Sequence, residues 1–309
     1  MSAIKKIREQ ARKIKKTVVL PEYDDARTIE AARIVKDEGL AIPLVLTPEI
    51  VDKNKKEQYI QEFYQLYKDK DMELSQVRNF FEDPLYSAAM MVREGLADGL
   101  VAGANHTTSD IARAAIRCIG VDPRFSLASS CFIMQVPDCA YGDQGAFIFA
   151  DCGIIPDPNA RQLSCIAIYA SELAAKVLNI TARVAFLSYS SKGSAKTKST
   201  DKIIQAIGMV KENFPDLLID GELQVDAAII PGVARTKAPD SPLEGKANVL
   251  IFPNLEAGNI AYKLTQRLSN ARAIGPLFLG LRKPASDLSR GCFAEDIADC
   301  VAVTAIRSQ

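Results

Sequence analysis

A single histidine, His106, occurs among the 309 residues. A metal site built on several imidazoles and a Ser-His-Asp hydrolase would both have to rest on that one ring, which argues against most hydrolase readings. The seven cysteines, Cys118, Cys131, Cys139, Cys152, Cys165, Cys292 and Cys300, form no CxxC pair and are not interspersed with histidines. An odd number without such pairs speaks against both a disulfide framework and a zinc site, and a reducing cytoplasm is the expected setting. The sequence has no GxGxxG and no GxxxxGK[ST], so a dinucleotide-dependent dehydrogenase and a P-loop kinase lose their main support. No run approaches the ~18 apolar residues that span a bilayer. Charge of one sign is missing too: 38 basic residues balance 38 acidic ones, giving no global pull toward nucleic acid or an anionic membrane. Any anion must be held by local arginines.

The chain is 48% hydrophobic and 25% charged, long enough for a large core or for two domains sharing a cleft. Its N-terminus, Met1 to Lys16, is basic but lacks the apolar core of a signal peptide. Ile4, Ile7, Ala11 and Ile14 recur there at spacings of three and four, which predicts a docked amphipathic helix. Short β-branched runs alternate with helical patterns. Strands are expected at 17–20, 44–46, 99–102, 147–150, 184–187, 227–230 and 249–252. Helices are expected at 27–38, 55–68, 84–94, 108–119, 159–178, 202–213, 258–268 and 293–306. Apolar strands separated by helices predict an α/β protein with largely parallel sheets covered on both faces. No internal repeat or low-complexity linker marks a domain boundary.

In such sheets ligands gather beyond the C-terminal strand ends, so the loops after these runs are where site residues are sought. Arg27 follows the exit Leu20-Pro21-Glu22-Tyr23-Asp24-Asp25, with Asp24 or Asp25 as helix cap. An arginine at that corner is either a solvated first-turn residue or a phosphate ligand. Gly103 to Asp110, followed by Arg113, offers small and hydroxyl residues, among them Thr107 and Thr108, at another helix start. That suits an anion site and a tight turn equally. Ser188 to Lys196 packs four serines, a glycine and two lysines after a strand. It reads as a polar loop whose position favours ligand contact modestly. Phe252 to Asn259 ends an apolar strand and either lines a cleft or turns a corner. Finally, Gly275 to Cys292 runs into a helix carrying Glu295 and Asp296, so that the Ser289 hydroxyl, the Arg290 guanidinium and a carboxylate can converge.

That last segment resembles the signature of the phosphate acetyltransferase family, GPxxQGLxKPxNDLSRGCSxED. The segments LPEYDDAR, ADGLVAGANHTTSD, VPDCAYGDQGAFIFADCG, SYSSKGSAKTK, DGELQVDAAIIPGVA, GKANVLIFPNLEAGNIAYKLTQRL and DLSRGC are similar to family blocks in the family's order. The resemblance covers nearly the whole chain. It implies two α/β domains of the phosphate acetyl/butyryltransferase and isocitrate-dehydrogenase-like fold. Residues 1–126 plus 279–309 would form a discontinuous first domain and 127–278 the second, with an interdomain cleft and a homodimeric assembly. The substrates it implies are coenzyme A, acetyl-CoA, acetyl phosphate and inorganic phosphate, with no separate cofactor and no metal.

The same resemblance implies roles for residues. Asp296 would be the general base toward the coenzyme A thiol and Arg290 its electrostatic partner. Ser289 is the natural donor to the developing oxyanion, and Arg113 would hold phosphate, helped by Ser190, Lys192, Thr107 and Thr108 or backbone donors. Arg27 would meet a coenzyme A phosphate, and Cys139 matches a family cysteine near the cleft, with a structural thiol as the plainer role. An unaided transfer from a thiol of pKa about 8.5 to an Asp near 3.9 is uphill by about 6 kcal/mol, so Asp296 needs the help of Arg290. His106 reads as a loop hydrogen-bonder. The chain also departs from the pattern. Where the family reads like YELRKHKG, it has Tyr64-Gln65-Leu66-Tyr67-Lys68-Asp69-Lys70-Asp71, placing Tyr67 where an arginine associated with substrate phosphate stands. Between Leu46 and Tyr59 it is shorter than its relatives, and Leu279, Ser286 and Phe293 replace the usual Gln, Asn and Ser. A phosphate acyltransferase preferring propionyl or butyryl groups and a noncatalytic acyl-CoA-sensing module are the alternative readings.

Overall fold

Val18, Val19 and Leu20 are fully buried β-branched or aliphatic residues in the strand β1 (Thr17–Leu20), which has a parallel strand on each side. In the computed structural model, which describes residues 2–51, 53–70 and 72–309, the chain divides into two compact units. Met1, at the head of the expected N-terminal helix, and Asp71, at the end of the departing segment, lie outside the described residues. One unit comprises residues 7–123 and 281–309, the other residues 1–6 and 124–280.

In the first of these, β1 pairs in parallel with β2 (Ile42–Val45) and with β3 (Gly99–Val101), and β3 pairs in parallel with the two-residue β10 (Ala285–Ser286). Parallel pairing demands crossovers, which the helices supply. The crossover helix α2 (Ala26–Asp37) begins where Asp25 accepts the N–H groups of Arg27 and Thr28 at 2.8 and 3.4 Å, which settles the cap on the second of the two aspartates. Next come α3 (Lys53–Tyr67) and α4 (Leu74–Phe80), then α5 (Pro84–Glu94), started by Asp83 and Pro84 and stopped by a left-handed Gly95. After β3 comes α6 (Thr108–Ala114), ending in a π-turn at Ala115–Ile119, and the chain closes with α12 (Ala294–Arg307). The amphipathic α1 (Ala3–Ala11) aims Arg8 at Glu38, Glu295 and the buried Asp299, at 2.8, 2.5 and 2.7 Å. A guanidinium that links three carboxylates fixes the first turns of α12, where Asp296 sits.

The other unit contributes six neighbouring strands in the order β9 (Arg272–Leu279), β4 (Ser129–Gln135), β5 (Ala146–Ala150), β8 (Val249–Ile251), β6 (Arg183–Leu187), β7 (Leu218–Leu223). Its β4 runs antiparallel to both neighbours, and the remaining pairs are parallel. Helices α7 (Ala160–Leu173), α8 (Lys198–Asn213) and α11 (Leu255–Leu268) accompany it. Phe132, Phe147, Phe149, Phe252 and Tyr262 fill one core cluster, with Phe132 stacked on Tyr262 at 4.0 Å between ring centroids.

The chain is thus α/β with largely parallel pairing, as expected, but one strand was misread. Residues 227–229 end the short helix α9 (Val225–Ile229), and Ile230 separates it from α10 (Pro231–Lys237), so no strand forms there. A four-residue apolar run has no period that separates a buried strand from a buried helical turn, and Pro231 opens the second helix. Strands β4, β7, β9 and β10 were not anticipated: β7 carries Asp220 and Glu222 in its interior, which breaks the apolar signal. Among the described residues no helix is long and apolar enough to cross a membrane.

Candidate functional site

Backbone N–H groups crowd the turn after β3, and one carboxylate collects them. Glu22, at the exit of β1 and 4% exposed, accepts from the N–H groups of Gly103, Ala104, Asn105 and His106 at 2.8 to 3.1 Å, and from the His106 ring Nδ1 at 2.8 Å. The other ring nitrogen, Nε2, meets Asp83 at 3.0 Å. The bonds to Asp83 and then to Glu22 outweigh burial and raise the imidazole pKa to about 10. Burial, the largest single influence, opposes ionisation of both carboxylates, but donation from His106 together with backbone N–H groups, those of Ala104, Asn105 and His106 at Glu22 and that of Leu85 at Asp83, holds each below its ordinary range. His106 is therefore an imidazolium locked between two anions, the loop hydrogen-bonder the sequence suggested. Beside it lies a cavity of about 520 Å³ lined by Glu22, Asp83 and His106 together with Leu46, Lys56 and Phe81. Among the described residues no group of three or more His, Cys, Asp or Glu is arranged to hold a metal ion.

Against this turn lies the loop that precedes α12. Gly103 has φ +122°, and a Cβ there would come within 2.4 Å of Asp287 Oδ1 and 2.5 Å of the Leu288 nitrogen, so only glycine allows the approach. Thr108 Oγ1 bonds to Asp287 Oδ2 at 2.5 Å, and the Leu288 N–H donates to Oδ1 at 2.8 Å. Burial of Asp287 lifts its pKa to about 7 in spite of these donors. Beyond this anchored pair the chain turns outward. Ser289 and Arg290 are exposed; the Ser289 carbonyl accepts the Cys292 N–H at 2.8 Å, and Ser289 Oγ accepts the Gly291 N–H at 3.3 Å. Since the hydroxyl oxygen is the acceptor there, its hydrogen is left to donate elsewhere. Asp296 is half-buried in the first turn of α12, where its Oδ2 accepts the Phe293 N–H at 3.0 Å.

The other expected residues divide by unit. Thr107 caps α6, accepting from the Asp110 N–H at 3.3 Å and donating to its carboxylate at 2.6 Å. Arg113, half-exposed on α6, meets Asp110 at 3.2 Å. Arg27 lies at the same corner, and its contacts reach both loops. Tyr67 packs on Phe63 with ring centroids 4.8 Å apart and donates to the Arg117 carbonyl at 3.0 Å, and burial pushes its phenol pKa up. Through Phe63, Tyr67 joins an aromatic cluster with Phe80, Phe81 and Tyr86.

Ser190, Lys192 and Cys139 belong to the second unit. Ser190 is fully buried, donating to Glu222 Oε1 at 2.9 Å and accepting the Ala195 N–H at 3.0 Å. The Lys192 ammonium pairs with the buried Asp220 carboxylate and reaches the Gly221 carbonyl at 3.3 Å. Cys139 is half-buried, in a groove with Pro137, Asp138 and Arg272, packed against the unit's core. Glu22, Asp83 and Glu222 were not anticipated as organisers. The readable signal for Glu22 is a carboxylate at one strand exit facing a turn of small residues at the next.

Comparisons with known proteins bear on this arrangement. A family model described as phosphate acetyl/butaryl transferase matches residues 2–305. The chain is 46% identical to a phosphate acetyltransferase of Acetivibrio thermocellus over 328 aligned positions, covering all of this chain and 99% of that protein. It is 45% identical to one of Thermoanaerobacterium thermosaccharolyticum, with both chains covered in full. Among solved structures, a phosphotransacetylase from Streptococcus pyogenes superposes with a TM-score of 0.89 at 37% identity, covering 99% of this chain and 98% of that one.

Proposed function

Because the chain belongs to the phosphate acetyl/butaryl transferase family, we propose that it is a phosphate acetyltransferase, converting acetyl-CoA and inorganic phosphate reversibly into coenzyme A and acetyl phosphate. The observation that carries this reading is the loop before α12. Asp287 and Leu288 are buried and bonded, while the next two residues, Ser289 and Arg290, stand exposed ahead of a helix whose first turn holds Asp296.

In the direction of acetyl-CoA synthesis, Asp296 takes the proton of the coenzyme A thiol, and Arg290 stabilises the thiolate. The sulfur attacks the acetyl carbon, and the Ser289 hydroxyl donates to the oxygen that gains charge. The carbon–oxygen bond to phosphate then breaks, and phosphate departs beside Arg113, recovering the proton from Asp296. The Ser289 hydroxyl hydrogen, not used in the bond from the Gly291 N–H, suits it to this donation, whose loss typically costs about 2.7–4 kcal/mol of barrier.

The test is phosphate- or arsenate-dependent release of coenzyme A from acetyl, propionyl and butyryl thioesters by the purified protein. Turnover fastest with acetyl-CoA is the expected result. Faster turnover of butyryl-CoA would move the assignment to a longer acyl group, and binding without turnover would leave a sensor.

A further inference from the structure

Arg27 carries five N–H hydrogens, and each has an acceptor within the protein. Nε donates to Asp25 Oδ1 at 3.0 Å and Nη2 to Asp25 Oδ2 at 2.8 Å. Nη2 also reaches the Ala104 carbonyl at 2.8 Å, while Nη1 donates to the carbonyls of Arg290 at 2.7 Å and Cys292 at 3.4 Å. A guanidinium presents its donors in one rigid plane, so these five contacts fix three pieces of chain at once: the start of α2, the turn after β3 and the loop before α12. Asp25 in turn is held by the helix it caps, and the Arg27 guanidinium lowers its carboxyl pKa, so the anchor stays charged.

We propose that Arg27 is a positioning residue, a clamp that sets the backbone of Arg290 and hence the direction of its side chain, rather than a ligand for a phosphate of coenzyme A. A guanidinium with no N–H to offer would have to break internal bonds before it could bind an anion. The Arg290 carbonyl it grips belongs to the residue assigned to the thiolate, so the clamp acts on catalysis through that residue. This inference rests on the acyl-transfer reading for its kinetic consequence, though not for its structural one.

Two measurements separate them. Amide hydrogen exchange at Ser289 to Cys292 requires no activity, and Arg27→Ala should speed it at least about tenfold at those positions while leaving β3 and α5 protected. Unchanged exchange there would overturn the inference even for an inactive protein. In steady-state kinetics, a misplaced Arg290 should lower kcat by about a hundredfold with the KM for coenzyme A within about threefold. The preference for coenzyme A over 3′-dephospho-coenzyme A should persist. Arg27→Lys, with three donors and no fork, should recover only a small part of kcat. A raised KM with kcat retained, or loss of the 3′-phosphate preference, would make Arg27 a substrate ligand and overturn the clamp. A lower melting temperature with kcat and KM intact would reduce it to a stability contact and overturn it equally. Should Arg27→Ala fail to fold, Asp25→Asn keeps both the cap and the guanidinium but removes the charged anchor. It should reproduce the exchange and kcat effects in weaker form, and their absence would count against the proposal.

Discussion

Two strand-exit loops that each set serine beside a cationic residue are built on opposite principles. In the loop from Ser188 to Lys196 buried carboxylates take up Ser190 and Lys192: Glu222 accepts from Ser190 and from the Gly193 N–H, and Asp220 pairs with Lys192. In the loop from Asp287 to Cys292 the backbone is satisfied, by Arg27 and by the anchored Asp287, and the side chains of Ser289 and Arg290 are left outside. The same residue types are therefore held inward in one place and left accessible in the other, where the proposed chemistry needs them. What distinguishes them is the partner that carries the burden, a buried carboxylate acting on side chains or a guanidinium acting on carbonyls.

The comparison breaks most severely at Gly103. A Cβ there overlaps Asp287, and overpacking at about 1–3 kcal/mol adds to a similar backbone strain at positive φ, so Gly103→Ala should cost about 2–6 kcal/mol. Denaturant midpoints would show it, and a midpoint like that of the wild type would mean the two loops are not in fact pressed together. A smaller effect separates the two serines. Ser190→Ala removes a buried bond to a carboxylate and should lose about 1.5–3 kcal/mol of stability. Ser289→Ala should change stability by less than about 0.5 kcal/mol; its effect belongs in kcat. If Ser289→Ala proved the more destabilising, the division between the loops would fall.

A pH profile probes the turn on the other side of Gly103. Because His106 binds its proton more tightly folded than unfolded, with its pKa raised from 6.5 to about 10, the stability this contributes is complete below 6.5 and is lost as pH rises through 10. The wild type should lose stability across that interval more than His106→Gln does. Parallel profiles would show that the charged ring between Glu22 and Asp83 is not what secures the turn.

Much of this was legible in the sequence, and for reasons that can be stated. Helix α5 was predicted at 84–94 and found at Pro84–Glu94, because Asp83, Pro84 and Gly95 are strong local signals. The exposed loop at Ser289 and Arg290 was marked by its own Gly, Pro and Asp residues. Glu22 and Glu222 were not legible, since the N–H groups they collect lie 81 to 84 and 29 residues away in sequence. Nor did composition reveal that Arg27 has all its donors engaged, because two of its acceptors are carbonyls more than 260 residues on. Position at a strand end predicted where to look, but saturation of donors is a tertiary property.

The central claim is that the exposed segment before α12, with Asp296 behind it, performs acyl transfer to phosphate. Steady-state turnover of acetyl-CoA with phosphate by Asp296→Asn tests it most directly. Loss of the base should lower kcat by at least about a hundredfold with the KM for acetyl-CoA within about threefold. A variant that kept kcat near the wild-type value would contradict the account.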